Sequence, residues 1–127
     1  MWYYFNPNPL YLHVGDCTVR AICAVTGLSW YIVHLAQSVL SSVMADMPSS
    51  DRVWWALLSM FGYNRVKIVD PCPDDCYTVA DFARDHPEGK YVLGPMEHAV
   101  AVIDGRWYDT WDSGSATVYY YFERSNE

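Results

Sequence analysis

The chain has 127 residues, 52% of them apolar and 18% charged, and a formal net charge of −7. That length predicts one domain over residues 1–127 with a substantial core, and the composition leaves no room for extended disorder. Its eight Lys and Arg are scattered, so no basic stripe is present to neutralise phosphates, and nucleic acid and anionic membrane surfaces are excluded as partners.

Residues 1–15 begin with the aromatic run Trp2-Tyr3-Tyr4-Phe5 and continue as Asn6-Pro7-Asn8-Pro9, which reads as extended or turn-like backbone. This start lacks the basic residues and apolar core of a signal peptide, and no later stretch has the length of a membrane span. The expectation is a cytosolic chain with reduced thiols.

Gly15-Asp16-Cys17 then opens a helix over 17–26, with Asp16 at the N-cap and Gly27 as the stop. Ser29 caps a second helix over 30–43, with Leu28 and Val33 at the positions of a hydrophobic staple. Ser49 or Ser50 starts a third at 51–61, whose apolar face is Trp54, Leu57, Leu58 and Phe61 and whose stop is Gly62. A strand follows near 65–69, then a proline-broken loop over 70–75. Thr78-Val79-Ala80-Asp81 has capping-box character and starts a short helix that ends near His86-Pro87. The remainder alternates as strands at 90–93, 98–103, 106–111 and 117–123, with Asp104-Gly105 as a two-residue hairpin turn. Helices first and an antiparallel sheet second define the class α+β.

The six Trp, eleven Tyr and four Phe fit a core filled by rings, or a groove with aromatic walls for a peptide. Cys72 and Cys76, four apart, can pair with each other or hold a metal together with two further ligands, but no second ligand pair stands out. No metal and no cofactor is expected.

Cys17 carries the chemistry. A thiol in the first turn of a helix lies beside unpaired amides and the positive end of the helix dipole, and both favour the thiolate. Cys23 sits mid-helix among apolar neighbours and reads as a small buried hydrophobe. A thiolate nucleophile needs a base. His98 supplies one at the head of a late strand, and the next strand carries carboxylates at Asp109 and Asp112. His13, His34 and His86 read as structural.

Which carboxylate faces His98 depends on register. A strict hairpin at Asp104-Gly105 places Ile103 opposite Arg106, Val100 opposite Asp109 and His98 opposite Trp111, so Asp109 shares the face of His98 but lies one pair away along the strands. Asp112 falls on the opposite face unless the strand bulges or bends.

The order of these parts, and the pair His98-Ala99-Val100-Ala101-Val102 and Trp107-Tyr108-Asp109-Thr110-Trp111-Asp112-Ser113, resemble papain-like cysteine peptidases, Josephin-type deubiquitinases and small papain-like proteins of bacteria and phages. The resemblance spans about residues 15–113. It implies a papain-like fold, with the nucleophile on the first helix packed against a C-terminal antiparallel sheet. It also implies a triad of Cys17, His98 and an orienting carboxylate, for which the families' spacing favours Asp112 with Asp109 in reserve. The expected activity is thiol hydrolysis of a peptide or isopeptide bond in a peptide or protein substrate. Acyl transfer by the same triad and a silent peptide-binding module are the alternatives. The Gln that such enzymes place ahead of the cysteine is missing here. The backbone N–H of Cys17, with Asn8 or Asn6, is the candidate for holding the oxyanion, and both Asn equally suit Asn-Pro turns.

Overall fold

The computed structural model describes residues 1–125. In chain order its elements are β1 (Trp2–Tyr4), α1 (Cys17–Thr26), α2 (Trp30–Val43), α3 (Asp51–Met60), β2 (Tyr63–Lys67), α4 (Val79–Asp85), β3 (Lys90–Pro95), β4 (Val100–Ile103), β5 (Arg106–Asp109) and β6 (Val118–Arg124). The class is α+β. Among the described residues no single helix is long and apolar enough to cross a membrane.

Local chemistry sets the helix ends. Gly27 takes φ 74° and donates its N–H to the carbonyl of Cys23, closing α1 with a left-handed residue that costs glycine nothing. The hydroxyl of Ser29 accepts the N–H of Ile32 at the start of α2. Thr78 and Asp81 form the full capping box of α4, each side chain bonded to the other's backbone N–H.

The six strands run in the order β1-β5-β4-β3-β6-β2. The hairpin register is regular: Ile103 faces Arg106, Val102 faces Trp107 and Ala101 faces Tyr108. The expected C-terminal antiparallel sheet needs one correction, because β1 pairs with β5 in parallel, Tyr4 beside Asp109. Three residues ahead of Asn-Pro-Asn-Pro are too few to show a period, and their pairing partner lies more than a hundred residues away. The aromatic N-terminus thus pairs within the chain, with Phe5 against the core around α1 while Trp2, Tyr3 and Tyr4 stay exposed.

Both faces of the sheet are covered, which explains why β4 is a continuous apolar run. Val92, Ala101 and Phe122 pack with Val19, Ile22 and Val25 of α1 and with Trp54, Leu57 and Leu58 of α3. Leu93, Val100, Val102 and Val118 point the other way, onto Val79, Phe82 and Ala83 of α4. Each large aliphatic side chain buried like Ile22 contributes about 1.5–3 kcal/mol, so the first turn of α1 rests on a firmly seated helix. Cys72 and Cys76 are joined by a disulfide in the loop between β2 and α4, the pairing alternative rather than the metal one.

Candidate active site

Cys17 is the first residue of α1 and is half-buried. Asp16 occupies the N-cap position, but its side chain makes no cap hydrogen bond. Its carboxylate instead accepts Nη1 of Arg20 at 2.7 Å and Nε1 of Trp30 at 2.8 Å. The opening amides of α1, beside the sulfur, are therefore not closed off by their own N-cap side chain.

His98 is presented by a tight turn between β3 and β4. Its N–H donates to the carbonyl of Pro95 at 3.3 Å, and Glu97 before it takes φ 52°. Nε2 of the imidazole lies 2.7 Å from Oδ2 of Asp109, and His98 lines the same cavity as Cys17, near enough to lower the thiol pKa. Trp111 packs against the imidazole, with ring centroids 5.1 Å apart, and so walls one side of the site.

Asp109 is fully buried and saturated with donors. Besides His98 it accepts Nη2 of Arg20 at 2.9 Å, the hydroxyl of Ser113 at 2.7 Å and the N–H of Thr110 at 2.8 Å. Its backbone carbonyl accepts the N–H of Phe5 at 2.9 Å and Nε1 of Trp2 at 3.1 Å, so β1 fixes the main chain that carries the carboxylate. Arg20, also buried, bridges Asp109 to Asp16. A line of alternating charge runs from Cys17 through His98, Asp109 and Arg20 to Asp16, and every buried charge in it has a partner.

This arrangement sets the protonation states. Burial pushes the Cys17 thiol up, but the hydrogen bond and charge of His98, the N–H of Ala99 and the charge of Arg20 outweigh it, and the thiol ends below its ordinary value. Burial alone would depress His98. Its bonds to Asp109 and Cys17 and their charges raise it to about 9. Burial likewise works against the ionised form of Asp109, and the bonds from His98 and Ser113 together with the charges of His98 and Arg20 hold it below the usual carboxylate range. The shifts of all three groups run toward the charged forms, thiolate, imidazolium and carboxylate, each stabilised by its neighbour.

The structure thus brings together Cys17, His98 and Asp109, and not Asp112. Asp112 is exposed and braces the turn after β5, its Oδ1 accepting Nε1 of Trp107 at 2.9 Å and the N–H of Gly114 at 3.0 Å. The strand does not bulge, so Asp109 keeps the face that a regular hairpin assigns it, and the choice of Asp112 by family spacing is corrected. The two oxyanion candidates are used within their own loop. Asn6 donates its amide to the carbonyl of Leu12 at 3.2 Å and accepts the N–H of Asn8 at 3.2 Å. Asn8 accepts the N–H groups of Leu10 and Leu12 at 2.9 and 3.2 Å. Both serve turns, and neither lines the cavity beside Cys17.

Arg20 and Ser113 are the residues that sequence reasoning missed. Arg20 had a signal: it is the one charged residue inside the apolar helix 17–26, four positions after Asp16. A lone cation on an otherwise buried helix needs a carboxylate partner. Ser113 had none beyond its place in a turn.

Comparison with protein-family models, with curated proteins and with solved structures finds no match to this chain.

Proposed function

We propose that this chain is a papain-like thiol hydrolase that cleaves a peptide or isopeptide bond. The observation that carries the reading is the His98–Asp109 hydrogen bond set beside Cys17 in one cavity, with the thiol pKa lowered and that of the imidazole raised to about 9. A nucleophile, a proton carrier and an orienting carboxylate in that order are what acyl transfer to sulfur requires.

In the first step the Cys17 thiolate attacks the substrate carbonyl carbon, and the carbonyl electron pair moves to oxygen. The backbone N–H of Cys17, at the uncapped start of α1, is the donor suited to that oxyanion. His98, as imidazolium, gives its proton to the departing amine as the carbon–nitrogen bond breaks, which leaves a thioester. Neutral His98 then takes a proton from water, the hydroxide attacks the thioester, and the acid product leaves as Cys17 regains its charge. Asp109 keeps Nε2 of the ring occupied, so that Nδ1 is the nitrogen turned to the sulfur.

We place this activity in the cytosol, where Cys17 stays reduced. Cys72 and Cys76 are both exposed, so their bridge is open to reduction there without disturbing the site. Covalent labelling with peptidyl and ubiquitin-like electrophiles tests the function. The native chain is expected to form a stoichiometric adduct on Cys17, and Cys17→Ala to form none. An adduct on Cys72 or Cys76 in preference to Cys17 would reject the reading.

A further inference from the structure

The cavity beside Cys17 has a volume of about 650 Å³ and carries two carboxylates, Asp51 and Glu97, but no Lys or Arg in its lining. Both acids are exposed, and neither has an ion-pair partner among the described residues, unlike Asp16, Asp46, Asp81, Asp85 and Asp109. Asp51 is the first residue of α3. One of its oxygens accepts Nε1 of Trp54 at 3.1 Å, which aims the carboxylate over the cavity and leaves the other oxygen for a ligand.

The floor between the acids and the thiol is aromatic. Tyr120 lies across Gly94 so closely that a Cβ there would sit 2.0 Å from its ring, and Trp54 packs beside Tyr120 at 6.3 Å between centroids. An apolar floor with an unpaired carboxylate at its rim suits a side chain with a long aliphatic stem and a cationic end. A second recess of about 460 Å³ continues past His98 to Trp111, sharing the Pro95–His98 turn with the first. Chain on both sides of the attacked bond therefore has room to lie in the site.

We infer that the substrate is a polypeptide with a Lys or Arg side chain next to the bond that Cys17 attacks, its cation held by Asp51 with Glu97 as a second acid of the same cavity lining. The inference rests on the thiol-hydrolase reading and adds the class of substrate to it.

The test uses peptidyl vinyl sulfones that differ at the first or second residue from the electrophile, with Arg, Lys, citrulline or norleucine in turn. The rate of Cys17 modification is read from the intact mass of the full chain, and iodoacetamide, which carries no side chain, serves as the control for thiol activation. Arg and Lys at one of the two positions are expected to react at least about tenfold faster than citrulline or norleucine. That advantage should shrink in high salt and mostly vanish in Asp51→Asn, while the iodoacetamide rate of that variant stays near the native one. A smaller loss is expected for Glu97→Gln. Citrulline matching Arg at both positions, with iodoacetamide still reporting an activated Cys17, would overturn the cationic substrate and leave the hydrolase standing. A preference that survives Asp51→Asn would overturn the role given to Asp51. A Cys17 that iodoacetamide shows to be no more reactive than an ordinary thiol would overturn both readings.

Discussion

Two thiols six residues apart on α1 are driven in opposite directions. Burial and the charge of Asp16 push Cys23 up to about 12, whereas Cys17 ends below its ordinary value although burial works against it as well. Both belong to the same helix and the same core. The difference lies in what each sulfur faces: Cys23 lies in the apolar mid-section, and Cys17 meets an imidazole whose pKa is raised by Asp109, itself held ionised by His98 and Arg20. The lowered pKa of Cys17 therefore follows from the polar groups around it, His98 first, with Ala99 N–H and Arg20.

The contrast can be broken residue by residue. Asp109→Asn strikes hardest after loss of the thiol or the imidazole themselves, since an amide can hold His98 in the wrong tautomer and supplies no charge. Turnover is expected to fall by about 10³–10⁴-fold, and the pKa of His98, measured by NMR titration, should drop from about 9 toward the ordinary histidine range. The same variant tests linkage. The folded pKa of Asp109 is depressed, so its contribution to stability is complete above the unfolded value of about 3.9 and is lost as pH falls through the folded one. Acid unfolding followed by circular dichroism should lose that component in Asp109→Asn.

Arg20→Met leaves Asp16 and Asp109 buried without their shared cation. Removing one partner of a buried ion pair costs about 3–5 kcal/mol, which denaturant unfolding will read directly, and the thiol of Cys17 should become harder to ionise. Ser113→Ala removes one bond to a charged acceptor and should cost about 1.5–3 kcal/mol with a smaller effect on turnover. Asp112→Asn is expected to be the mildest. It keeps an oxygen for Trp107 and Gly114, and stability should stay within about 0.5 kcal/mol of the native chain with turnover little changed. A severe loss of activity in Asp112→Asn beside a mild one in Asp109→Asn would reverse the assignment.

Much of this was legible in the residues. The periodicity and caps located α1, α2, α3, α4 and the hairpin, because those signals are local: Gly27, Ser29, Thr78 with Asp81, and Asp104-Gly105 each act within a few positions. Strand parity from the hairpin also put Asp109 on the face of His98, and the family spacing that favoured Asp112 misled: the chain does bend after β5, but the Asp112 carboxylate is taken up there by Trp107 and Gly114. What could not be read was long-range. The pairing of β1 with β5, and the bridge from Arg20 to Asp109 across eighty-nine residues, depend on how the sheet rim meets the first helix. Asn6 and Asn8 carried equal signals for turn and oxyanion, and only the loop's own hydrogen bonds separate the two.

The central claim, that His98 is what sets Cys17 apart from Cys23, is tested by the pH dependence of alkylation at each cysteine, resolved by peptide mass in the native chain and in His98→Ala. In the native chain Cys17 should react on a plateau that begins in mildly acidic solution and at pH 7 exceeds Cys23 by at least about 100-fold. In His98→Ala the profile of Cys17 should move to higher pH by about one unit or more, equivalent to roughly 1.4 kcal/mol of lost thiolate stabilisation, with Cys23 unchanged. A Cys17 profile that is the same with and without His98 would contradict the account.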